Sequence, residues 1–294
     1  ILVTEMARSE GAYLVNKDGD RFMETYAPGV AEMASRDICA RAVATEILEG
    51  RDSNGHVFLD MRHLDKATLS DRLRETLWLL NDLEGIDVTE KLVPVEPAMH
   101  RPIGGVQVDG SGATTVSGLY ASGECASNGV HGANRLGGNS LLDCVVFGGR
   151  SGEAAAGYAL SAGEVQLSDS LVNDEISRLN NLLGKDASNE FSGNLRRELG
   201  AIMHKKAGIF RSGDGLREAE EKIRELRGRH QTLGLRNKDM AYNMDIAQIM
   251  ELGFMIDSAE ITVASALNRE ESRGCHYRTD FPESDDVNWS KHIT

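Results

Sequence analysis

The sequence is short of several things, and each shortage excludes a class of protein. Its four cysteines (Cys39, Cys125, Cys144, Cys275) are spread over 294 residues, with no CxxC pair among them. Such spacing builds neither a zinc site nor an iron–sulfur cluster, so no metal is expected; reduced thiols of a cytosolic protein are the fitting reading. No run reaches the roughly 20 apolar residues that span a bilayer. The opening segment lacks the basic start and cleavage site of a secretion signal. It also lacks an initiator Met, and the N-terminus reads as an internal cut. Positive charge is scarce: 32 Lys+Arg against 46 Asp+Glu give a net charge of −14. That argues against a nucleic-acid partner, which favours basic surfaces. It does not exclude a small anionic substrate, because a local basic pocket can sit in an acidic protein. Internal repeats and low-complexity tracts are absent as well.

What is present is concentrated in residues 118–149, GLYASGECASNGVHGANRLGGNSLLDCVVFGG. Glycines, one acid (Glu124), one histidine (His131) and one arginine (Arg135) lie between two apolar runs. A strand, a glycine-rich loop and a buried helix entrance let backbone approach a nucleotide cofactor closely. Around this stretch the pattern predicts strands at Ile1–Val3, Ala12–Val15, Val57–Asp60, Val93–Ala98, Gly105–Val108 and Leu119–Ser122. Helices are predicted at 34–49, 65–84 and 139–160, the last with Leu142, Val145, Val146 and Gly149 on a face fit for burial. Past residue 160 glycine thins and charge rises. A boundary falls near 161–172, and segments 171–183, 190–206, 213–234 and 238–268 carry helical periodicity. The last 24 residues, from Glu271, read as irregular.

The segment HGANRLGGNSLLDCVVFGGRSGE resembles the flavoprotein subunit of the succinate dehydrogenase/fumarate reductase family, to which L-aspartate oxidase is closely related. Further segments match in order: TEMARSEGAYLVNKDGDRF at 4–22, SRD at 35–37, HVFLDMRHL at 56–64, GIFRSGDGL at 208–216 and ESRGCHYRTDFPESDDVNWSKH at 271–292. The resemblance covers essentially the whole chain. It implies an α/β plus α-helical fold. Residues 1–92 would be the C-terminal part of a capping domain, 93–165 the C-terminal part of an FAD-binding domain, and 166–294 a helical bundle. The family's GxGxxG unit, which cradles the FAD pyrophosphate, occurs nowhere in the sequence.

The implied activity is FAD-dependent interconversion of fumarate and succinate. Its implied partners are an iron–sulfur protein subunit and the N-terminal half of the flavoprotein. The implied location is cytoplasmic, with membrane contact only through other subunits, at the inner face of the cell membrane. A dicarboxylate needs at least two fixed cationic or hydrogen-bonding groups, and arginine pairs a carboxylate bidentately. The resemblance makes Arg36 the proton-transfer arginine, Glu5 and Arg8 the relay behind it, and Thr4, His100 and Arg135 the carboxylate binders. Gly104, Gly105, Glu124, Asn139, Ser140 and Leu141 would face the flavin. The bare tripeptide reads Arg36 as a helix-start partner of Asp37, and the bland reading of Glu5 with Arg8 is a surface i,i+3 pair. His131 reads as a structural hydrogen-bonder and Cys125 as a packed thiol. Where the family has His-Tyr/Phe-x-Met-Gly-Gly, this chain has His100-Arg101-Pro102-Ile103-Gly104-Gly105. The tail from Glu271 reads either as a flavin- and partner-proximal element or as a charged packing segment. Two other functions stay open: an L-aspartate oxidase-type flavoenzyme, and a non-catalytic subunit-docking fragment.

Overall fold

The computed structural model describes residues 2–164, 166–187, 189–239 and 241–294. The chain forms two compact units, dividing between Arg101 and Pro102.

The first unit is built on an antiparallel sheet of β1 (Tyr13–Val15), β2 (Val57–Asp60) and β3 (Val93–Val95), in that order. Its register sets Leu14 opposite Leu59 and Leu59 opposite Val93. Along β2, Val57 and Leu59 are buried while Phe58 and Asp60 are half-buried, the alternation of a sheet with one face on a core. Pro94 is tolerated because β3 is an edge strand, with no second neighbour to need its amide. Onto this sheet pack α1 (Met6–Ser9), α2 (Met23–Tyr26), α3 (Arg36–Leu48) and α4 (Arg74–Glu84). Met23, Ala42, Val43, Leu73, Leu80 and Met61 close the core. Each large side chain buried there contributes about 1.5–3 kcal/mol. The helix predicted over 65–84 is two pieces, a π-helical turn at Thr68–Arg72 and then α4. Leu73, at φ −117° and ψ 16°, is the break between them.

The second unit begins with β4 (Val106–Gln107) and β5 (Ala126–Ser127), which pair in parallel. Long helices follow: α5 (Asn139–Ala162), α6 (Asp169–Gly184), α7 (Ser192–Lys206), α8 (Gly213–Gln231) and α9 (Met244–Asn268), then the short α10 (Asp286–Trp289). Buried Leu216, Ala219, Ile223 and Leu226 on α8 meet Ile249, Leu252, Ile256, Ala259, Val263 and Ala266 on α9. Their alternating spacing of three and four residues is one helical stripe each. Both helices start on a side-chain cap. Ser212 Oγ accepts from the Gly215 amide at 3.1 Å, and Asn243 Oδ1 from the Asp245 amide at 3.0 Å.

Four expectations need correction. Of the strand expected at Ile1–Val3, Ile1 lies outside the described residues, and Leu2 and Val3 join no sheet. The strand expected at Leu119–Ser122 reduces to one bridge, Tyr120 to Ala113, and the paired strand of the glycine-rich stretch is β5, after Glu124. Gly118 (φ 83°) and Gly123 (φ 71°) turn the backbone out of the extended conformation at both ends of that run. The α5 face expected to be buried is open, with Leu142, Val145 and Val146 exposed at 61%, 74% and 45%. Nothing among the described residues covers it. Of the segment expected to be helical over 238–268, Met240 lies outside the described residues and the helix begins at Met244. Val165 and Ser188 also lie outside; the boundary expected over 161–172 contains the link between α5 and α6.

Candidate functional site

In the first unit, a line of charged side chains runs out from under α3. Ser35 is extended (ψ 156°) and Arg36 opens α3, so the arginine leaves the helix at its first position. Arg36 Nε donates to Glu5 Oε2 in a short ion pair. Arg36 Nη1 lies 3.4 Å from His100 Nδ1. The guanidinium has only donors, so in a hydrogen bond between the two Nδ1 is the acceptor. On the other side, Glu5 Oε1 lies 3.8 Å from Arg8 Nη2. Arg8 is itself gripped: Nη1 donates to the carbonyl oxygens of Glu32 and Ala34, the latter at 3.3 Å, and lies 2.8 Å from Cys39 Sγ. Burial pushes the Cys39 thiol above its ordinary pKa, so it meets Arg8 as a neutral thiol. Glu32, also buried, is pushed up by burial but is brought below the ordinary carboxylate range by Arg21 and the Leu14 amide. Thr4 Oγ1 accepts from the Met6 amide at 3.3 Å, leaving its own O–H to donate elsewhere. Glu5, Arg8, Arg36 and His100 therefore form one neighbourhood, with Arg36 joined to both Glu5 and His100, and Thr4 precedes Glu5 in the chain.

In the second unit, glycines make the surface. Gly104 and Gly105 take φ of 130° and 141°. A Cβ on Gly105 would lie 2.3 Å from the Cys125 carbonyl oxygen, whereas one on Gly104 would meet nothing within 4 Å. Gly105 lets the segment entering β4 lie against the Glu124–Cys125 turn that leads into β5. Gly138, at φ 81°, starts α5 without a side-chain cap, and no heavy atom lies within 4 Å of where its Cβ would be. Leu141, in the first turn, is 75% exposed, and Glu124 is exposed too. Arg135 is only 7% exposed, and its Nη1 donates to the Leu136 carbonyl at 3.0 Å. His131 Nε2 contacts buried Asp143 at 3.1 Å, and Asp143 also accepts from Asn128 Nδ2 at 2.9 Å. These two contacts staple the glycine-rich loop to α5.

The tail of the chain folds back onto the same loop. Cys275 N donates to the Ala133 carbonyl at 3.0 Å. Glu271 is fully buried and accepts from Arg269 Nη1 at 2.5 Å, Arg273 Nε at 3.0 Å and the Asp285 amide at 2.8 Å. Burial alone would raise its pKa, but these donors outweigh it and hold the carboxyl below its usual range. Arg278 donates to the Ala266 and Arg269 carbonyls at the end of α9, and Asp280 accepts from the Gly213 amide at the start of α8. Each charge meets the helix end of opposite polarity. His276, pushed down to about 4 by burial and then by Arg211, accepts from Arg211 Nη1 at 2.9 Å and donates to the Arg269 carbonyl at 3.2 Å. Sequence reasoning missed Asp143, Asn128, Cys39, Arg211 and His276 as partners. Their separations of up to 65 residues leave no local periodic signal.

The antiparallel sheet of the first unit, and the glycine-rich helix entrance and helical bundle of the second, make an α/β plus α-helical fold. The chain belongs to the succinate dehydrogenase/fumarate reductase flavoprotein family. Residues 1–141 match the family profile described as FAD binding domain, and residues 196–294 that described as Fumarate reductase flavoprotein C-term. The chain is 38% identical to a fumarate reductase flavoprotein subunit of Haemophilus influenzae, over 99% of its own length and 52% of the relative's. It is 38% identical to a succinate dehydrogenase flavoprotein subunit of Rickettsia conorii, over 99% and 51%. Among solved structures, a quinol fumarate reductase of E. coli superposes with a TM-score of 0.92 at 34% identity, over 98% of this chain and 52% of that one. The chain thus spans about half the length of the curated relatives it matches.

Proposed function

We propose that this chain carries the substrate-facing part of an FAD-dependent enzyme that interconverts fumarate and succinate. The observation that supports it most is the line from His100 through Arg36 and Glu5 to Arg8. One of the two carbons between the carboxylates must gain or lose a proton in this reaction, and the other a hydride. A bound flavin supplies the hydride donor or acceptor at its N5 position.

Arg36 delivers or removes the proton at the substrate carbon, and Glu5 and Arg8 restore it. A guanidinium yields a proton only in a step concerted with its replacement, and the direct pairing of Arg36 with Glu5 suits that requirement. His100 and the hydroxyl of Thr4 are donors for one substrate carboxylate. Arg135 is the proposed bidentate partner of the other. Gly104, Gly105, Glu124, Asn139, Ser140 and Leu141 would hold the flavin. The open backbone at Gly104 and Gly138 fits a flat ring, and the start of α5 favours the negative charge that a reduced ring acquires. A dinucleotide-binding unit for the pyrophosphate, and an iron–sulfur protein for electron exchange, would come from outside this sequence. No helix among the described residues is long and apolar enough to cross a membrane.

In the complete flavoprotein, Arg36→Lys and Arg135→Ala should each lower succinate or fumarate turnover by at least about a hundredfold, with flavin absorbance retained. Near-normal turnover in either variant would refute the assigned role. An aspartate oxidase reading predicts robust oxidation of aspartate with little succinate turnover, and the same assay separates the two.

A further inference from the structure

We infer that the hairpin Arg273–His276 is a positioning element for Arg135, setting how the enzyme binds its dicarboxylate; this rests on the carboxylate-binding role proposed for Arg135. The hairpin is tight. Arg273 N donates to the His276 carbonyl at 2.7 Å, and His276 N to the Arg273 carbonyl at 3.0 Å. Gly274, at its tip, takes φ 56°. The Cys275 amide then holds the Ala133 carbonyl, two residues before Arg135, and the Cys275 thiol lies 3.3 Å from Asn134 Oδ1.

Two features separate this from ordinary surface packing. The first is closeness. A Cβ on Gly274 would lie 2.5 Å from the Ala133 carbonyl oxygen and 3.0 Å from Ala133 Cβ, so the hairpin fits only with glycine at that point. The second is the fixity of the hairpin stem. Arg273 is paired with buried Glu271 at 3.0 Å and with Asp286 at 2.6 Å. His276 is fixed between Arg211 and the Arg269 carbonyl, and Arg211 also reaches the Gly208 carbonyl at 2.9 Å. A rigid stem therefore presses one amide onto the loop that aims a buried arginine. A bidentate arginine tolerates little misplacement, and a shift of about 1 Å can cost up to a hundredfold in function.

The test is Gly274→Ala in the complete, flavin-loaded enzyme, beside Gly85→Ala. Gly85 also takes a positive φ (64°) but would meet nothing within 4 Å, so it reports backbone strain without the clash. Gly274→Ala should raise KM for fumarate or succinate, and the dissociation constant of the non-reacting dicarboxylate malonate, by about tenfold. Flavin content should be retained, and kcat should fall less than KM rises. Gly85→Ala should lower thermal stability without moving KM. If Gly274→Ala does not accumulate as folded flavoprotein, His276→Ala, which loosens the stem, carries the same expectation. Arg135→Ala is measured in parallel. If it raises KM and malonate dissociation while the hairpin variants leave both at the Gly85→Ala level, the positioning role is overturned and the reading of Arg135 stands. If Arg135→Ala itself leaves dicarboxylate binding unchanged, the reading of Arg135 fails and the positioning role fails with it.

Discussion

Arg36 is shaped by what its fork can reach at once: Nε is turned to Glu5 and Nη1 to His100. A lysine has one nitrogen and no planar fork, so it could keep only one of these partners in place. Its own tripeptide marks Arg36 as a helix-start arginine beside Asp37, and the family resemblance alone gives it a proton-transfer role. The pairing with Glu5 depends on a separation of 31 residues that no local pattern encodes. Asp37 does pair within the helix, but with Arg41, at 2.9 Å. Glycine conformations are similarly hidden. Gly104 and Gly105 look alike in the sequence and share a positive φ, yet only Gly105 lies against another backbone. Both Gly→Ala changes should cost about 1–3 kcal/mol in strain. Gly105→Ala should cost more, because the Cys125 carbonyl must also move. Thermal melts of the two variants should show a clearly lower midpoint for Gly105→Ala. Equal midpoints would mean that the Gly105 contact is not tight in solution.

At the scale of elements, long periodic helices and the first four strands were legible, and β5 was not. The apolar stripes of α8 and α9 repeat over 19 and 25 residues, and periodicity over that length is unambiguous. The two-residue strands β4 and β5 exist only because they pair with each other across a glycine-rich loop, so a run such as Leu119–Ser122 could be mistaken for the strand. Charge between helices also escapes a single-segment reading. Arg229 on α8 forks onto Glu198 of α7 with both contacts at 2.8 Å, and Lys222 adds a third donor at 2.9 Å. Arg229 and then Lys222 draw the Glu198 carboxyl from its ordinary 4.5 down to about 2. A carboxyl with a lowered folded pKa stabilises the fold fully above its unfolded value and loses that contribution as pH falls through the folded one. Glu198→Gln should therefore lower the melting temperature at neutral pH. The gap between wild type and variant should close as pH falls from about 4.5 toward 2, and high salt should narrow it as well. A gap that stays constant across that range would remove the ion pair as its cause.

At the scale of the whole molecule, the family is legible because long motifs survive at both ends of the chain, while the flavin site is legible only in part. Leu142, Val145 and Val146 of α5 read as a buried face because apolar residues at helical spacing normally find cover. Here, with Leu141, they form an exposed apolar stripe beside the glycine-rich loop. Exposed patches of this kind mark surfaces that other protein covers. The sequence carries no GxGxxG, and the relatives it matches are about twice as long. A dinucleotide-binding unit carrying GxGxxG, taken from such a relative and supplied in trans, should therefore give a complex that retains FAD through gel filtration, where the chain alone does not. Placing a charge in the covered stripe should break this. Burying an unpaired carboxylate costs several kcal/mol, so Val145→Asp should weaken flavin retention by the complex about a hundredfold or more. The melting of the variant chain alone should barely change, because Val145 is already open to water. Undiminished flavin retention by Val145→Asp would show that α5 is not the surface on which the flavin site is completed.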